Sequence, residues 1–354
     1  MKNSSFKNIL KNNLSSILCL ILLVGFAPTS LYSQDYRYIN AYMDDFGKNE
    51  MFIKKSLMDY SVTIVETQLA SRSKATAGKI VEKLESINAN LRNNNKGFEN
   101  NTLLRDSFIK MNQKTIESLL NGSLILNDYD YQSTLSLAEI GVNFNQKEKD
   151  LASYYDEMKS YEKNKKAFGT KYNINFKSSN GKNVLEYNAY QNILFYKINV
   201  IDQKLTTVIK ARDKKGFTDC LNSITVMHEA TMVKTTQYND NFKDNTLNNA
   251  NIKYSNFING QKAKFANLFN EYVDEHNALQ VLKNSNASQT NETVANYNKV
   301  VRNYNAKKNS FYEVYNTIQS AKKILYDSWF VTNGTFLKNN GEFENIHSKY
   351  VVSE

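Results

Sequence analysis

The sequence predicts an all-α protein, an elongated antiparallel helical bundle that is built from two tandem four-helix units. Three observations support this fold class. The 354 residues contain one proline, Pro28, which lies in a segment expected to be removed. A proline-free chain suits long helices rather than turn-rich β-folds. Apolar residues also recur at heptad spacing over long stretches, and polar, Asn-rich runs separate these stretches as loops would.

Residues 1–34 have the layout of a secretory signal peptide. Three lysines precede an apolar run of about ten residues, and Pro28-Thr29-Ser30 follows it. The apolar run is too short for a permanent membrane anchor, which needs about 20 residues. We therefore expect cleavage near Ser33-Gln34 and export to the periplasm, the outer surface or the extracellular medium. Lipidation of Cys19 is the less favoured alternative, because most of the apolar run follows that cysteine.

The first four-helix unit is predicted over residues 35–168. Its helices lie at about residues 39–67, 80–91, 102–126 and 134–167. The first and fourth carry apolar residues every seven positions, at Ile39, Phe46, Ile53 and Tyr60 and at Leu137, Phe144, Leu151 and Met158. This spacing places the apolar side chains on one face of each helix. The second helix is expected to stop in the polar run that ends at Gly97.

Residues 169–183 break the helical periodicity and are predicted to form a connector, with a short extended piece at residues 172–176. A second four-helix unit follows over residues 184–328. Its helices lie at about residues 187–213, 217–227, 258–279 and 297–325. The last of them has the clearest seam, with Tyr297, Tyr304, Phe311, Ile318 and Leu325 spaced by seven. These aromatic and aliphatic residues predict the core-facing edge of a long helix.

Three short echoes occur in the same order in the two halves and predict an internal duplication. The pairs are Asn40-Ala41-Tyr42 with Asn188-Ala189-Tyr190, Asn101-Thr102-Leu103 with Asn245-Thr246-Leu247, and Asn143-Phe144-Asn145-Gln146-Lys147 with Asn303-Tyr304-Asn305-Ala306-Lys307. The offsets between the pairs drift, as expected if loops changed length after the duplication.

The third echo supplies a candidate polar motif. It consists of Asn143, Asn145 and Lys147 in the first half and Asn303, Asn305 and Lys307 in the second. One interpretation is that these side chains form a polar layer that sets helix register. The favoured alternative is that the lysine stems lie along the bundle while their amines reach water.

Residues 329–354 are predicted to form an aromatic C-terminal tail. Its candidate recognition residues are Trp329, Phe330, Phe336 and Phe343. Docking of this tail on the bundle is the favoured interpretation, and a segment that binds a partner is the alternative.

The sequence contains little that suggests catalysis. It has no Gly-rich phosphate loop and no Gly-x-Ser-x-Gly nucleophile turn. Its histidines do not form a His-x-x-x-His pair, so we expect no metal or other cofactor and no enzymatic activity. The alternative is a periplasmic enzyme or metal carrier that uses His228, His276 and nearby carboxylates. Once residues 1–34 are removed, Cys220 is the one remaining cysteine, so an intramolecular disulfide is excluded.

The formal net charge is +10, and removal of residues 1–34 lowers it to +7. The basic residues are scattered, so a solvated lysine surface is the favoured interpretation. Attraction to anionic envelope polymers, lipid head groups or acidic partners is the alternative. We expect that the protein does not bind nucleic acid and is not an integral membrane protein. The candidate partners are an envelope glycan or a surface protein.

The export signal, the long helix that begins Tyr38-Ile39-Asn40-Ala41-Tyr42 and the proline-free helical body resemble an uncharacterised family of secreted helical proteins of Bacteroidota-like bacteria. Some members of this family are labelled leptospiral-type surface proteins. The resemblance implies a non-enzymatic role at the surface or in the periplasm and supplies no catalytic residues. The leading hypothesis is a secreted or surface-associated helical binding protein, with a structural role in a Gram-negative envelope close behind.

Overall fold

A computed structural model describes residues 36–67, 70–121, 129–176, 183–239, 242–285, 290–341 and 350–352. These residues form nine α-helices and one pair of short strands, so the protein is all-α. The elements are α1 (Ile39–Thr67), α2 (Ala70–Asn94), α3 (Leu103–Leu120), α4 (Tyr129–Thr134), α5 (Leu137–Lys171), β1 (Ile174–Phe176), α6 (Val184–Ala211), α7 (Lys214–Tyr238), α8 (Thr246–Asn284), α9 (Asn291–Gly341) and β2 (Tyr350–Val352). The predicted signal peptide and Phe343 lie outside the described residues.

Helices α1, α2, α3 and α5 pack around an aromatic core. The rings of Phe46 and Phe108 are 5.4 Å apart, and those of Phe108 and Tyr161 are 5.3 Å apart, which joins α1, α3 and α5. Tyr42 contacts Phe168 on the same side of the core. Edge-to-face and tilted contacts of this kind add to the burial of the rings.

Helices α6 to α9, together with the first half of α5, enclose a second and larger core, and α6 lies at its centre. Of the 28 residues of α6, 17 are buried, so this helix is covered on nearly all sides. It packs against α4, α5, α7, α8 and α9. The Phe195 ring stacks on Trp329 of α9 at 3.7 Å.

Helix α9 is longer than the sequence predicts, because it continues through the predicted boundary at residue 328 to Gly341. Residues 329–341 are therefore part of the last helix rather than a separate tail. The physical reason is that apolar residues persist at helical spacing, with Trp329, Phe330, Phe336 and Leu337 all buried. At its end α9 reaches α1, where Gly341 lies so close that a Cβ on it would be 2.7 Å from Met58 Cε.

The other differences from the predicted elements occur near loops. Helix α3 ends at Leu120, whereas the prediction extends to residue 126, and the short helix α4 falls where a loop is predicted. The extended piece expected at residues 172–176 is present as β1, which pairs antiparallel with β2 near the C-terminus. Gly169 is required where α5 meets β1, because a Cβ at that position would collide with the Phe176 ring.

Among the helices that the structure describes, none is both long enough and apolar enough to cross a membrane.

Replacing Phe311 with Ala should lower the free energy of unfolding by about 3–5 kcal/mol, because this side chain is fully buried between α8 and α9. Urea denaturation of the two proteins measures the difference. Ile324, which is 70% exposed on the same helix, is the control, and Ile324→Ala should change stability by less than about 0.5 kcal/mol. A similar loss in both variants would contradict the assigned core face of α9.

Candidate functional site

Helices α8 and α9 extend past the rest of the second core. The turn between α6 and α7 is level with Tyr272 of α8, because Arg212 Nε donates to Tyr272 Oη at 2.9 Å and Lys214 Nζ lies 2.6 Å from Asp274 Oδ1. Beyond this level, residues 275–285 of α8 and 290–308 of α9 have mainly each other as neighbours. We call these two segments the arm. At 1.5 Å per residue the α8 segment is about 17 Å long and the α9 segment about 29 Å long.

The arm is less buried than the rest of the described protein, which we call the body. In α9 no residue from 291 to 310 is buried, whereas Phe311 and Tyr315 are. In the α8 segment of the arm, Leu279 is the one buried residue among those that the structure describes. Two helices alone cannot enclose a seam, so apolar side chains remain in water. Val281 is 70% exposed, Val294 48% and Tyr297 38%.

The arm is held together by a sparse set of contacts. The Tyr304 ring lies 6.0 Å from Tyr272 and 5.8 Å from His276. Lys308 Nζ lies 5.9 Å above the Tyr304 ring, at cation–π range. These contacts lie at the base of the arm.

The two copies of the candidate polar motif lie on different helices and in different surroundings. Asn143 and Lys147 are half-buried on α5, and Asn145 is exposed there. Asn303 and Asn305 are exposed on α9, in the arm, and Lys307 is half-buried beside them. The structure does not bring the two copies together into one polar layer.

The two lysines of the motif also differ electrostatically. Burial lowers the pKa of Lys147 to about 8. The pKa of Lys307 is raised by a hydrogen bond and ion pair with Glu271, whose Oε2 lies 2.8 Å from Lys307 Nζ. Lys307 thus resembles an ordinary surface ion pair, whereas Lys147 carries a cost of partial burial.

The predicted recognition aromatics are core residues. Trp329, Phe330 and Phe336 are each less than a tenth exposed. Trp329 Nε1 donates to Asn251 Oδ1 at 2.8 Å, so the polar edge of the indole is also satisfied inside the protein. These three side chains are therefore inaccessible to a partner.

Buried amide side chains form a network that sequence analysis did not identify. Asn188, Asn192 and Asn333 form a closed ring in which each amide donates to the next. Asn188 Nδ2 lies 2.5 Å from Asn333 Oδ1, Asn333 Nδ2 lies 2.6 Å from Asn192 Oδ1, and Asn192 Nδ2 lies 2.9 Å from Asn188 Oδ1. The ring joins α6 to α9, and it is paired internally, so it favours a structural role over ligand binding.

A second amide chain links all four helices of the second core. Trp329 of α9 donates to Asn251 of α8, and Asn251 donates to Gln191 of α6. Gln191 Nε2 then donates to Asn248 Oδ1 at 2.9 Å, and Asn248 donates to the Thr235 carbonyl of α7. Such a chain is satisfied in one axial alignment of the helices, so it specifies their register.

Buried ion pairs have a similar effect in both cores. Lys165 Nζ of α5 lies 2.6 Å from Glu50 Oε2 of α1, with both side chains less than a tenth exposed, and Tyr161 also donates to Glu50. Lys322 of α9 lies 2.5 Å from Asp202 of α6. Burying charge is costly unless it is paired, so these residues penalise any helix alignment that separates them.

The histidines do not form a common site. His228 Nδ1 lies 3.0 Å from Ser255 Oγ, near the middle of α8, whereas His276 belongs to the arm. Ser255 and His276 are separated by about 32 Å along the α8 axis. Burial lowers the pKa of both histidines, with a further contribution from nearby cations. Within the described part of the chain, no three His, Cys, Asp or Glu side chains cluster as metal ligands would.

Cys220 is fully buried, and burial raises the pKa of its thiol to about 11. A thiol in this state is protonated at neutral pH and is a poor nucleophile. The residue therefore acts as a small core side chain.

A shallow surface groove of about 570 Å³ lies at the start of α3. Amide side chains of Asn100, Asn101 and Asn164 line it, and its one lysine, Lys110, is paired with Glu157 at 2.7 Å. Small-molecule sites are mostly concave and apolar. This groove is wide open to solvent, and Leu103 is the one aliphatic side chain among its lining residues, so it does not resemble such a site.

Comparison of the chain with protein-family models, with curated proteins and with solved structures found no match in any of the three.

Replacing Asn333 with Ala should lower the free energy of unfolding by about 2–4 kcal/mol, because Asn188 and Asn192 would each lose a buried hydrogen-bond partner. Asn303, exposed on the same helix, provides the control. Asn303→Ala should shift stability by less than about 0.5 kcal/mol in the same urea titration. Equal effects at the two positions would argue against the amide ring.

Replacing Lys147 with Met should raise the free energy of unfolding at pH 7 by about 1–3 kcal/mol, because burial lowers the folded-state pKa to about 8. Below pH 8 the lysine is charged in both states, and the cost of burying the charge is fully present. Between pH 8 and about 10.4 the folded state loses its proton first, so the native protein gains stability as the pH rises.

The advantage of Lys147→Met should therefore shrink between pH 8 and 10, as measured by urea denaturation at several pH values. Lys307→Met is the matched control and should show no gain, because Glu271 raises the pKa of Lys307. A pH-independent gain at position 147 would mean that added apolar contact, rather than the buried charge, explains the result.

Proposed function

We propose that this chain is a secreted or surface-associated, non-enzymatic helical binding protein of a Gram-negative envelope, and that the arm is its binding element. The proposal includes export directed by residues 1–34 and a body of two tandem four-helix units, with the short helix α4 packed against α6 as an addition. The resemblance to secreted helical surface proteins of Bacteroidota-like bacteria is consistent with this role.

The observation that carries the proposal is the incomplete burial of the arm. A pair of helices that extends about 17–29 Å beyond the packed body leaves apolar surface in water, which is unfavourable for a monomer in isolation. Val294 and Tyr297 stay in water although they continue the seam that is buried from Phe311 onward. Val294 and Tyr297 are adjacent on one face of α9, being three residues apart, and contiguous exposed apolar surface is typical of interaction sites.

The body suits the role of a scaffold for this arm. Its amide networks join α6, α7, α8 and α9 in one alignment, and its ion pair between Asp202 and Lys322 is almost fully buried. A binding element attached to rigid helices loses little conformational entropy when it meets its partner. The partner classes that this proposal favours are an envelope glycan, a surface protein or an envelope surface.

Nucleic acid is not among the partner classes that we propose, because the basic residues are scattered. Lysines that lie beside acids, such as Lys214 with Asp274 and Lys323 with Asp327, form pairs over the surface. Nucleic-acid binding relies on a clustered basic stripe instead.

Replacing Val294 and Tyr297 together with Ser should reduce retention of the mature chain, residues 35–354, on its envelope partner by at least about tenfold, as two exposed apolar contacts are lost. The measurement is a pull-down with immobilised protein against purified peptidoglycan, envelope glycans and solubilised envelope proteins, with each retained component identified.

The matched control is Tyr38→Ser with Val331→Ser. These residues are of the same types and are more exposed, at 74% and 71%, but they lie outside the arm. The control should bind as the native chain does. Equal retention of all three proteins, or retention of no envelope component by any of them, would contradict the proposed role of the arm.

A further inference from the structure

One side of α9 is covered by α6 along the body. Four residues of α9 at heptad spacing make the contacts, which are Tyr315 with Thr206, Lys322 with Asp202, Trp329 with Phe195, and Phe336 with Tyr187. The α6 partners fall in number as the α9 residues rise, so the two helices run antiparallel. A heptad series of this kind stays on one side of a packed helix.

The same series continues into the arm after α6 has ended. Its next members towards the start of α9 are Lys308 and Val301. Thr206 lies opposite Tyr315, so a residue about seven positions further along α6 would lie opposite Lys308, but α6 ends at Ala211. Lys308 is therefore exposed and Val301 is half-buried, whereas Tyr315 is buried.

Helix α8 shows the same pattern towards α7. Three residues of α8 at heptad spacing contact α7, and these pairs are Ser255 with His228, Lys262 with Thr225, and Phe269 with Phe217. The series continues into the arm with His276 and Lys283. Because α7 begins at Lys214, less than one turn before Phe217, it does not extend over these two residues.

The side of the arm that α6 and α7 leave uncovered is basic. We call Lys308, Val301, His276 and Lys283 the open face, and all four lie within the described helices. In the described part of the chain neither of its lysines takes part in an ion pair. The open face thus combines an apolar side chain with two cations and has no acid of its own.

The body shows how a lysine of this series is neutralised. Lys322 lies two heptads after Lys308, and it pairs with Asp202 of the antiparallel helix α6. A helix that continued in the place of α6 would meet Lys308 near its own first residues. An acid in that first turn would pair with Lys308 and would also be favoured by the positive end of its helix dipole.

We propose that the open face binds an amphipathic helix of a partner protein, which lies antiparallel to α9 beyond the end of α6. Its apolar residues pack on Val301, and its acidic residues lie beside Lys308 and Lys283. Packing of an amphipathic helix into a groove between helices is a common mode of recognition. The inference rests on the proposed function, since it identifies the class of partner and the side of the arm that binds it.

Charge disfavours a second copy of this chain as the occupant. Two arms related by a two-fold axis would bring the lysines of one open face against those of the other. Like charges that face each other across an interface oppose association. An acidic helix has the complementary charge.

The test uses two synthetic helical peptides of about 21 residues, or three heptads, with leucine at positions a and d. One carries glutamate at the positions that flank the leucines, and the other carries lysine there. Fluorescence anisotropy measures the binding of each labelled peptide to the mature chain, residues 35–354. The acidic peptide should bind at least about tenfold more tightly than the basic one, and high salt should reduce this difference.

Charge variants locate the acidic contacts. Replacing Lys283 and Lys308 together with Gln should weaken binding of the acidic peptide about fivefold, because two exposed ion pairs are lost. The matched control replaces Lys149 and Lys163 with Gln, which removes the same charge from exposed positions outside the arm. This control should change binding less than about twofold.

An apolar variant locates the packing contact. Val301→Ser should weaken binding of the acidic peptide about tenfold. Val331→Ser, at a position that is 71% exposed on the same helix but outside the arm, should leave binding unchanged. Circular dichroism and thermal melting verify that each variant is folded.

Carbodiimide coupling reports the direction of the bound helix. Peptides with capped ends and a single glutamate, in either the first or the last turn, are coupled to the native chain, and the linked lysine is identified by mass spectrometry. The first-turn glutamate should couple to Lys308. The last-turn glutamate should couple to Lys308 at less than about a fifth of that yield, because the two turns are about 25 Å apart.

Several outcomes overturn the inference. Equal binding of the acidic and basic peptides, equal losses in the arm and control variants, or preferential coupling of the last-turn glutamate to Lys308 would each contradict it. A native dimer that Val301→Ser dissociates in analytical ultracentrifugation would show that a second copy covers the open face instead. Absence of peptide binding together with arm-dependent capture of peptidoglycan or a glycan would overturn this inference and leave the proposed function standing. Failure to bind either peptide and every envelope fraction would remove both.

Discussion

Burial of the apolar seam of α9 is the constraint on which the rest of the structure depends. At 51 residues, α9 is about 77 Å long, and no single neighbour can cover it. Among the described residues, its start packs against α8, its middle against α6 and α8, and its end reaches α1 near Met58. One helix therefore links both cores and also supplies half of the arm. The change in its partners along its length explains why residues of one periodic series differ so widely in exposure.

The polar residues inside the cores give the helices a specific alignment. Heptad seams of similar aromatic and aliphatic residues could slide by one repeat at modest cost, because each register still buries apolar surface. The ring of Asn188, Asn192 and Asn333 and the pair of Lys165 with Glu50 are satisfied in one alignment. In any other alignment they would leave buried polar groups unpaired, at a cost of about 1–3 kcal/mol for each neutral group. Apolar burial drives association of the helices, and these groups select its geometry.

The residues that stabilise the protein are different from those that we propose for binding. The aromatic side chains that the sequence suggests for recognition, such as Trp329 and Phe336, are buried in the core. They stabilise the body and are unavailable to a partner. The arm has the opposite properties, because Leu279 is the one buried side chain among its described residues and Val281, Val294 and Tyr297 are exposed. Its weak internal support makes it the part of the molecule for which a partner would contribute most. A rigid body with a sparsely packed extension is thus a coherent basis for a binding protein.

The sequence by itself determined that the chain is helical and which face of most helices is apolar, because heptad spacing is a local property and residues such as Phe311 and Leu151 follow it into the core. Tertiary structure alone decided which polar residues enter the core. Asn333 and Asn303 lie on one helix with the same intrinsic preferences, yet one is fully buried and the other exposed, since only the former faces Asn188 and Asn192. The arm likewise could not be predicted from the sequence, because the apolar seam of α9 continues through it without a break. The point at which the seam of α9 loses its neighbours depends on where α6 and α7 end. Those helices are distant from the arm along the chain, so the seam pattern itself does not reveal it.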